Sequence, residues 1–195
     1  VSILSSAGTI SRARLHRLAN VLIKSGIEVH IWAPGKASDA PTGAIYHRTI
    51  GGRTKLIRVL RDIYLPFVAT GDAILTISPD VVPISYCIAK IKKIKLIADI
   101  NEDYLKLLLD RSWAKGLIGV LAKSIAILAN RIAANADLLI VADTQVPPFK
   151  AKKRLVVKNL PDPYMIPDSG ELDKKPRAIY IGDIRKTRGL YSMLR

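Results

Sequence analysis

Apolar residues in this chain fall into short, largely continuous runs, separated by longer stretches with helical spacing. The runs at 73–78 and 94–100 place most of their apolar side chains one after another instead of alternating them strictly with polar ones. Strands buried on both faces of a parallel sheet have this pattern. Between the runs, residues such as Leu15, Leu18 and Leu22 recur on one helix face. The alternation predicts an α/β domain over residues 1–160, with a doubly wound Rossmann-like parallel sheet.

Helix signals accompany the strands. Gly26 suits a left-handed C-cap for the first helix. A basic amphipathic helix is predicted from about Lys55. One long helix is predicted after the acidic turn NEDY, with an apolar stripe formed by Leu117, Leu121, Ile125, Leu128 and Ile132.

The last part of the chain differs in composition. Residues 161–176 are rich in proline and charge and predict a linker. Residues 177–195 then give an apolar strand, a basic loop with glycine and the start of a helix. This pattern predicts the beginning of a second domain, and we expect the chain to be a fragment of a longer protein.

The composition is strongly basic. Lys and Arg number 31 against 16 Asp and Glu, for a net charge of +15. Such a surface attracts nucleic acid, anionic lipid or phosphorylated substrates, and charge alone does not choose among them. The helix from Lys55 to Arg61 could rest on an anionic membrane, although a solvated helix face is the simpler explanation.

The sequence carries few signals for metals, disulfides or membrane spans. Cys87 is the only cysteine and is expected to be a small buried hydrophobe, so a reducing, cytoplasmic location fits. The three histidines are scattered, and no His/Cys cluster has metal-ligand spacing. No run reaches the ~18 uninterrupted apolar residues of a membrane span, and Lys123 breaks the longest one.

The first candidate site is the loop SSAGTISRAR after the first strand. Gly8 lets the backbone approach a ligand, helix N-terminal amides can bind phosphate, and Arg12 or Arg14 adds charge. The alternative is a plain strand–helix turn with a Ser or Thr cap.

The second candidate is the acidic turn after the strand KLIADI. Asp99, Asn101 and Glu102 suit hydroxyl recognition or charge stabilisation beside a reacting sugar. The alternative is that acids gather at a helix N-terminus because of its dipole, which explains Glu102 and Asp103 better than Asp99.

The third candidate is the basic loop near the end of the chain. Gly182, Arg185, Lys186 and Arg188 follow a strand and precede a helix, which suits a diphosphate. The alternative is an exposed basic turn. The strand exit VVKNLPD, with Asn159, is expected to be a structural turn.

Five stretches occur in an order that resembles the amino-terminal half of GT-B glycosyltransferases of family 4, also called glycosyltransferase group 1. RARLHRLANVLIKSGIEVHIWAP looks like their first helix and second strand, with Arg14 on an arginine common in that family. KLIADINEDY looks like their strand and loop "vyDaHE". LLIVAD and VVKNLPD are similar to their closing strands, and AIYIGDIRKTRGL to the first strand and loop of their carboxy-terminal domain. The resemblance covers nearly the whole chain.

The resemblance implies a function. A retaining glycosyltransferase would move a sugar from a nucleotide diphosphate sugar to an acceptor, for example a lipid-linked glycan or polysaccharide precursor, without metal or cofactor. Arg188 would neutralise the leaving diphosphate, helped by Arg185 or Lys186, and Gly8 would lie near the donor. Asp99, Asn101 and Glu102 would face the acceptor. Asn101 stands where the family has a loop histidine, and unlike histidine it cannot act as a base.

Two alternatives stay open. A non-catalytic nucleotide or nucleic-acid binding module would fit the charge, but no nucleic-acid motif is visible and no nucleic-acid partner is expected. Another GT-B enzyme, such as a nucleotide-sugar epimerase, would share the fold.

Overall fold

The computed structural model describes residues 1–6, 10–50 and 55–160. Within these ranges the fold is α/β, with one seven-stranded sheet flanked by helices. The strands are β1 (Ser2–Leu4), β2 (His30–Ala33), β3 (Ile45–Arg48), β4 (Ala73–Thr76), β5 (Lys95–Ile100), β6 (Leu138–Val141) and β7 (Arg154–Val156). The helices are α1 (Ala13–Lys24), α2 (Lys55–Val68), α3 (Val82–Lys92), α4 (Tyr104–Leu109) and α5 (Gly116–Ala133), with a short 3-10 turn at Ala37–Asp39.

The sheet has the order β3-β2-β1-β4-β5-β6-β7, and every neighbouring pair is parallel. The predicted doubly wound Rossmann-like parallel sheet is therefore confirmed. The direction of winding reverses between β1 and β4. In such sheets the crevice beyond the carboxyl ends of the strands at this reversal is the usual ligand site.

The core has two layers, one on each face of the sheet. On one face, Leu15 and Ala19 of α1 pack against Ile3 and Ile31. On the other face, α2, α3 and α5 lie side by side and bury residues such as Leu65, Val82 and Ala133. Fully burying one Leu or Ile contributes roughly 1.5–3 kcal/mol, so these two layers hold the sheet between them.

The predicted C-cap of α1 is confirmed. Gly26 has φ +76°, in the left-handed region. The amide of Gly26 donates to the carbonyl of Ile23, and the amide of Ile27 donates to the carbonyl of Leu22. These bonds satisfy carbonyls that the end of the helix would otherwise leave unpaired.

The single long helix predicted after the acidic turn is wrong, because the structure has two helices there. α4 ends at Leu109 and α5 begins at Gly116. The predicted stripe on α5 also points largely outward. The core-facing side instead carries small residues, Ala126, Ala129 and Ala133, which let the helix lie close to its neighbours. Four of the five stripe residues are exposed: Leu117, Leu121, Ile125 and Leu128.

The prediction that Cys87 is buried is also wrong, because its side chain is exposed. The buried face of α3 holds Val82, Ser85, Ile88 and Ala89. At about 100° per residue, position 87 lies on the opposite side of the helix.

Helix α5 is apolar along its whole length. Its 18 residues have a mean hydropathy of 1.5, and by length and composition alone it is the one helix in the described ranges that could cross a membrane. The sequence analysis required an unbroken run of apolar residues, and Lys123 breaks that run. The mean hydropathy over 18 residues stays high in spite of one lysine. Only 22% of the helix is buried in the fold.

Candidate functional site

The main cleft lies at the carboxyl edge of the sheet, beyond β4 and β5. It has a volume of about 490 Å³ and is bounded by the loops after these strands, by α4 and by α5. Its polar wall is formed by Arg12, Ser78, Asp80, Asn101, Glu102 and Arg111. Its apolar wall is formed chiefly by Leu107, Leu108, Trp113, Ile125 and Ala126.

A smaller cavity of about 230 Å³ borders α1. Arg12, Asn101 and Glu102 line this cavity as well as the main cleft, and Arg14 lines it too. The described end of the first loop and the acidic turn therefore face the same space. This is the arrangement expected when loops follow neighbouring parallel strands.

Arg14 and Asp99 form a buried ion pair at this edge. Arg14 Nε donates to Asp99 Oδ2 at 2.6 Å and Arg14 Nη2 donates to Asp99 Oδ1 at 2.5 Å. Arg14 Nη1 also donates to the Val157 carbonyl at 3.2 Å. Asp99 is 1% exposed and Arg14 is 9% exposed. The pair thus fixes α1, β5 and the exit of β7 relative to one another.

The environment of Asp99 limits what its carboxyl group can do. Burial raises its pKa, and the hydrogen bonds and charge of Arg14 partly oppose that rise. Both oxygens accept from Arg14, so a ligand would have to compete with a bidentate guanidinium. This geometry favours a positioning role for Asp99 and Arg14, and direct contact with a ligand stays a prediction for both.

Asn101 is held by the residue at the start of α4. The Tyr104 hydroxyl donates to Asn101 Oδ1 at 2.8 Å. Burial raises the pKa of the Tyr104 phenol, and the nearby carboxylates of Asp99 and Glu102 raise it further, so Tyr104 stays a donor. Because Oδ1 is the acceptor here, the amide NH2 is the group that Asn101 can present to the cleft.

The two acidic residues after Asn101 have different roles. Asp103 Oδ1 accepts from the amides of Leu105 and Lys106, so Asp103 is the N-cap of α4. The placement of an acidic residue at a helix N-terminus therefore explains Asp103. Glu102 is exposed, lies outside α4 and lines both cavities.

The first loop and the closing turn reach the same edge. Ser6 Oγ donates to Asp80 Oδ1 at 2.9 Å, and Arg61 of α2 donates to the Ser6 carbonyl. Arg17 donates to Asn159 Oδ1 and to the Leu160 carbonyl. The described parts of the first loop, the acidic turn and the closing turn thus meet at one edge, as the strand–helix alternation predicts.

Several predicted site residues lie outside the described residues. They are Gly8 in the first loop and Gly182, Arg185, Lys186 and Arg188 in the basic loop, together with the predicted linker 161–176 and the segment 177–195.

Sequence reasoning missed part of the cleft. Asp80 lies in the loop after β4 and could have been found by the rule that ligands bind after strand ends. Arg111 and Trp113 carry no such signal. They belong to the connection between α4 and α5, and the sequence analysis predicted one continuous helix there instead of a loop.

Two histidines that look scattered in the sequence come together in the fold. His30 Nδ1 and His47 Nε2 are 3.0 Å apart, and the ring of His47 stacks on Trp32. They lie on β2 and β3, on the far side of β1 from the cleft. Among the described residues, no group of three His, Cys, Asp or Glu side chains is arranged to hold a metal ion.

The comparisons with known proteins add no further identification. No protein-family model matches the sequence, and no curated protein matches it significantly.

Proposed function

We propose that this chain is the acceptor-side domain of a glycosyltransferase, which moves a sugar from a nucleotide diphosphate sugar to a hydroxyl of the acceptor. The observation that carries the proposal is the composition of the cleft at the carboxyl edge. Glu102 offers an accepting carboxylate, Asn101 a donating amide and Arg12 a guanidinium, all facing one space. A sugar hydroxyl both donates and accepts, so it can use each of these groups.

The resemblance to family 4 glycosyltransferases supplies the reaction. The bond that forms joins the acceptor oxygen to the anomeric carbon, and the bond that breaks joins that carbon to the diphosphate. The acceptor proton leaves with the departing diphosphate. Asn101 and Glu102 would orient the acceptor hydroxyl, and the Arg14–Asp99 pair would hold the edge on which they stand.

The donor side of the proposal rests on the resemblance alone. Arg188, with Arg185 and Lys186, would contact the diphosphate, where charge grows as the sugar leaves. In the protein that contains this chain, Arg188→Ala should lower turnover by ~10² while leaving acceptor binding nearly unchanged. An unchanged turnover would show that the donor site lies elsewhere.

The acceptor side can be tested on the chain itself. A glycan array probed with the labelled chain should show binding to a subset of sugars. Asn101→Ala and Glu102→Gln should weaken that binding about tenfold each, because the first removes the amide donor and the second removes the charge that strengthens the hydrogen bond accepted from the sugar. Glu28→Gln is the matched control, since Glu28 is an exposed carboxylate just before β2, at the opposite edge of the sheet.

Equal binding by all of these variants would contradict the assignment of the cleft. Binding to polynucleotides instead of glycans, with a steep dependence on salt, would favour the nucleic-acid binding module that the net charge also allows.

A further inference from the structure

The outer side of α5 and its approach from α4 form a continuous apolar surface. Leu117 is 89% exposed and Leu121 is 62% exposed. Isolated exposed apolar residues are ordinary, but a contiguous group of this size marks an interaction site. We define the α5 surface by its exposed apolar residues Leu109, Trp113, Leu117, Ile118, Val120, Leu121, Ile125 and Leu128.

The packing of α5 shows how this surface can be used. Ala126, Ala129, Asn130 and Ala133 are buried on the inner side of the helix, which packs against α3. If α5 crossed a bilayer, the contacts between its inner side and the core would be lost. The helix is therefore placed to lie along an apolar boundary and not to span one.

The charges around the α5 surface indicate the chemistry of the partner. None of the 18 residues of α5 is acidic. Lys106, Arg111, Lys115 and Lys123 are exposed on α4, on the connection and on α5. A basic rim around an apolar face complements a bilayer with anionic headgroups.

A second copy of the chain is a poorer fit to the same surface. Two copies would bring two basic rims together, and each chain already carries a net charge of +15. Like charges facing each other oppose association, whereas anionic lipid attracts the same rim.

We propose that the α5 surface docks on an anionic bilayer, with α5 lying in the membrane plane and Trp113 at the level of the headgroups. Sequence analysis had placed possible membrane contact on the helix from Lys55 to Arg61. Arg61 of that helix is not available to lipid headgroups, because it is buried and donates to the Ile50 and Ser6 carbonyls.

The docked surface borders the candidate cleft, since Trp113 and Ile125 belong to both. A ligand with an apolar tail would reach the cleft directly from the membrane. That extension rests on the proposed function, whereas docking itself does not.

Vesicle flotation of the 195-residue chain tests the docking. Vesicles of phosphatidylcholine with phosphatidylglycerol should carry the chain upward, and phosphatidylcholine alone should do so at least about tenfold less. In a Trp32→Phe chain, Trp113 is the only tryptophan. Its fluorescence emission should shift to shorter wavelength when anionic vesicles are added. Brominated lipids should then quench it.

Two variants and one control assign the contact. Leu117→Gln/Leu121→Gln and Lys115→Glu/Lys123→Glu should each reduce vesicle binding by about tenfold or more. Because all four residues are exposed, neither variant should unfold at a lower temperature than the parent chain. Val21→Gln is the control, since Val21 is 64% exposed on α1, on the other side of the sheet, and should bind normally.

Three results would overturn the proposal. The first is equal vesicle binding by the leucine variant and the parent. The second is binding without any quenching by brominated lipid, which would make the contact purely electrostatic. The third is a chain that does not bind vesicles but forms dimers by light scattering, where the dimers depend on Leu117 and Leu121. A second copy of the chain would then be the occupant of the α5 surface.

Discussion

At the scale of single residues, Arg14 and Asp99 show what the sequence can and cannot tell. Asp99 stands out in the sequence because a charged residue within an apolar strand needs a partner, whereas Arg14 is one of three arginines between positions 12 and 17. Which partner is not encoded locally, because the two residues are 85 positions apart and meet only when α1 packs over β5. Sequence analysis therefore assigned both to ligand contact and did not foresee the pair.

The pair makes a prediction about stability. Arg14→Met and Asp99→Leu should each destabilise the fold by ~3–5 kcal/mol, because each leaves a buried charge without its partner. The double variant should be less destabilised than the sum of the two, since an apolar pair of similar size leaves no charge behind. Urea unfolding of the four proteins gives the coupling free energy. Strictly additive losses would mean that the two side chains do not stabilise each other.

At the scale of elements, most strands could be predicted from the sequence, but the side of α5 that faces the core could not. A run of apolar residues such as 73–78 fixes a buried strand because both faces of a central strand are covered. Spacing along α5 identifies a helix but not which side faces inward, since nearly every position is apolar. The inner side is decided by close packing, which selects the small residues Ala126 and Ala129 over the larger leucines.

The end of α3 offers an element-scale prediction. Lys93 follows the helix with φ +55°, in the left-handed region that costs a residue with a Cβ about 1 kcal/mol. Lys93→Gly should therefore stabilise the fold by ~0.5–1 kcal/mol, measured by urea unfolding.

Lys90→Gly is the matched control for Lys93→Gly, because Lys90 is an exposed lysine inside the same helix. Glycine at a helical position should destabilise the fold by ~1 kcal/mol. If both variants are less stable than the parent, the side-chain contacts of Lys93 stabilise the fold by more than the left-handed backbone conformation at this position destabilises it.

At the scale of the whole molecule, topology explains why the candidate site could be located before its residues were known. Parallel strands point their carboxyl ends the same way, so loops after β1, β4, β5 and β7 must share an edge. The charge state of that edge could not be predicted in the same way. The acidic turn stands out in a basic sequence, yet the fold sets Arg12 and Arg111 around it and gives the cleft both signs.

The net charge of +15 leads to a prediction for the molecule as a whole. Lysines and arginines spread over one small domain repel each other, and this repulsion opposes the compact state. Raising NaCl from ~0.01 M to ~0.1 M shortens the screening length from ~30 Å to ~10 Å. The free energy of unfolding should then rise by about 1 kcal/mol, or ~2–4 °C in Tm for a chain of this size.

A variant with fewer positive charges separates repulsion from other effects of salt. Replacing Lys150, Lys152 and Lys153 with glutamate changes the charge by six, from +15 to +9, at exposed positions close together in the chain. Its Tm should be higher at low salt and should rise less when NaCl is added. If the parent and the variant gain the same number of degrees, the salt effect does not come from charge repulsion, and the basic surface has no measurable stability cost.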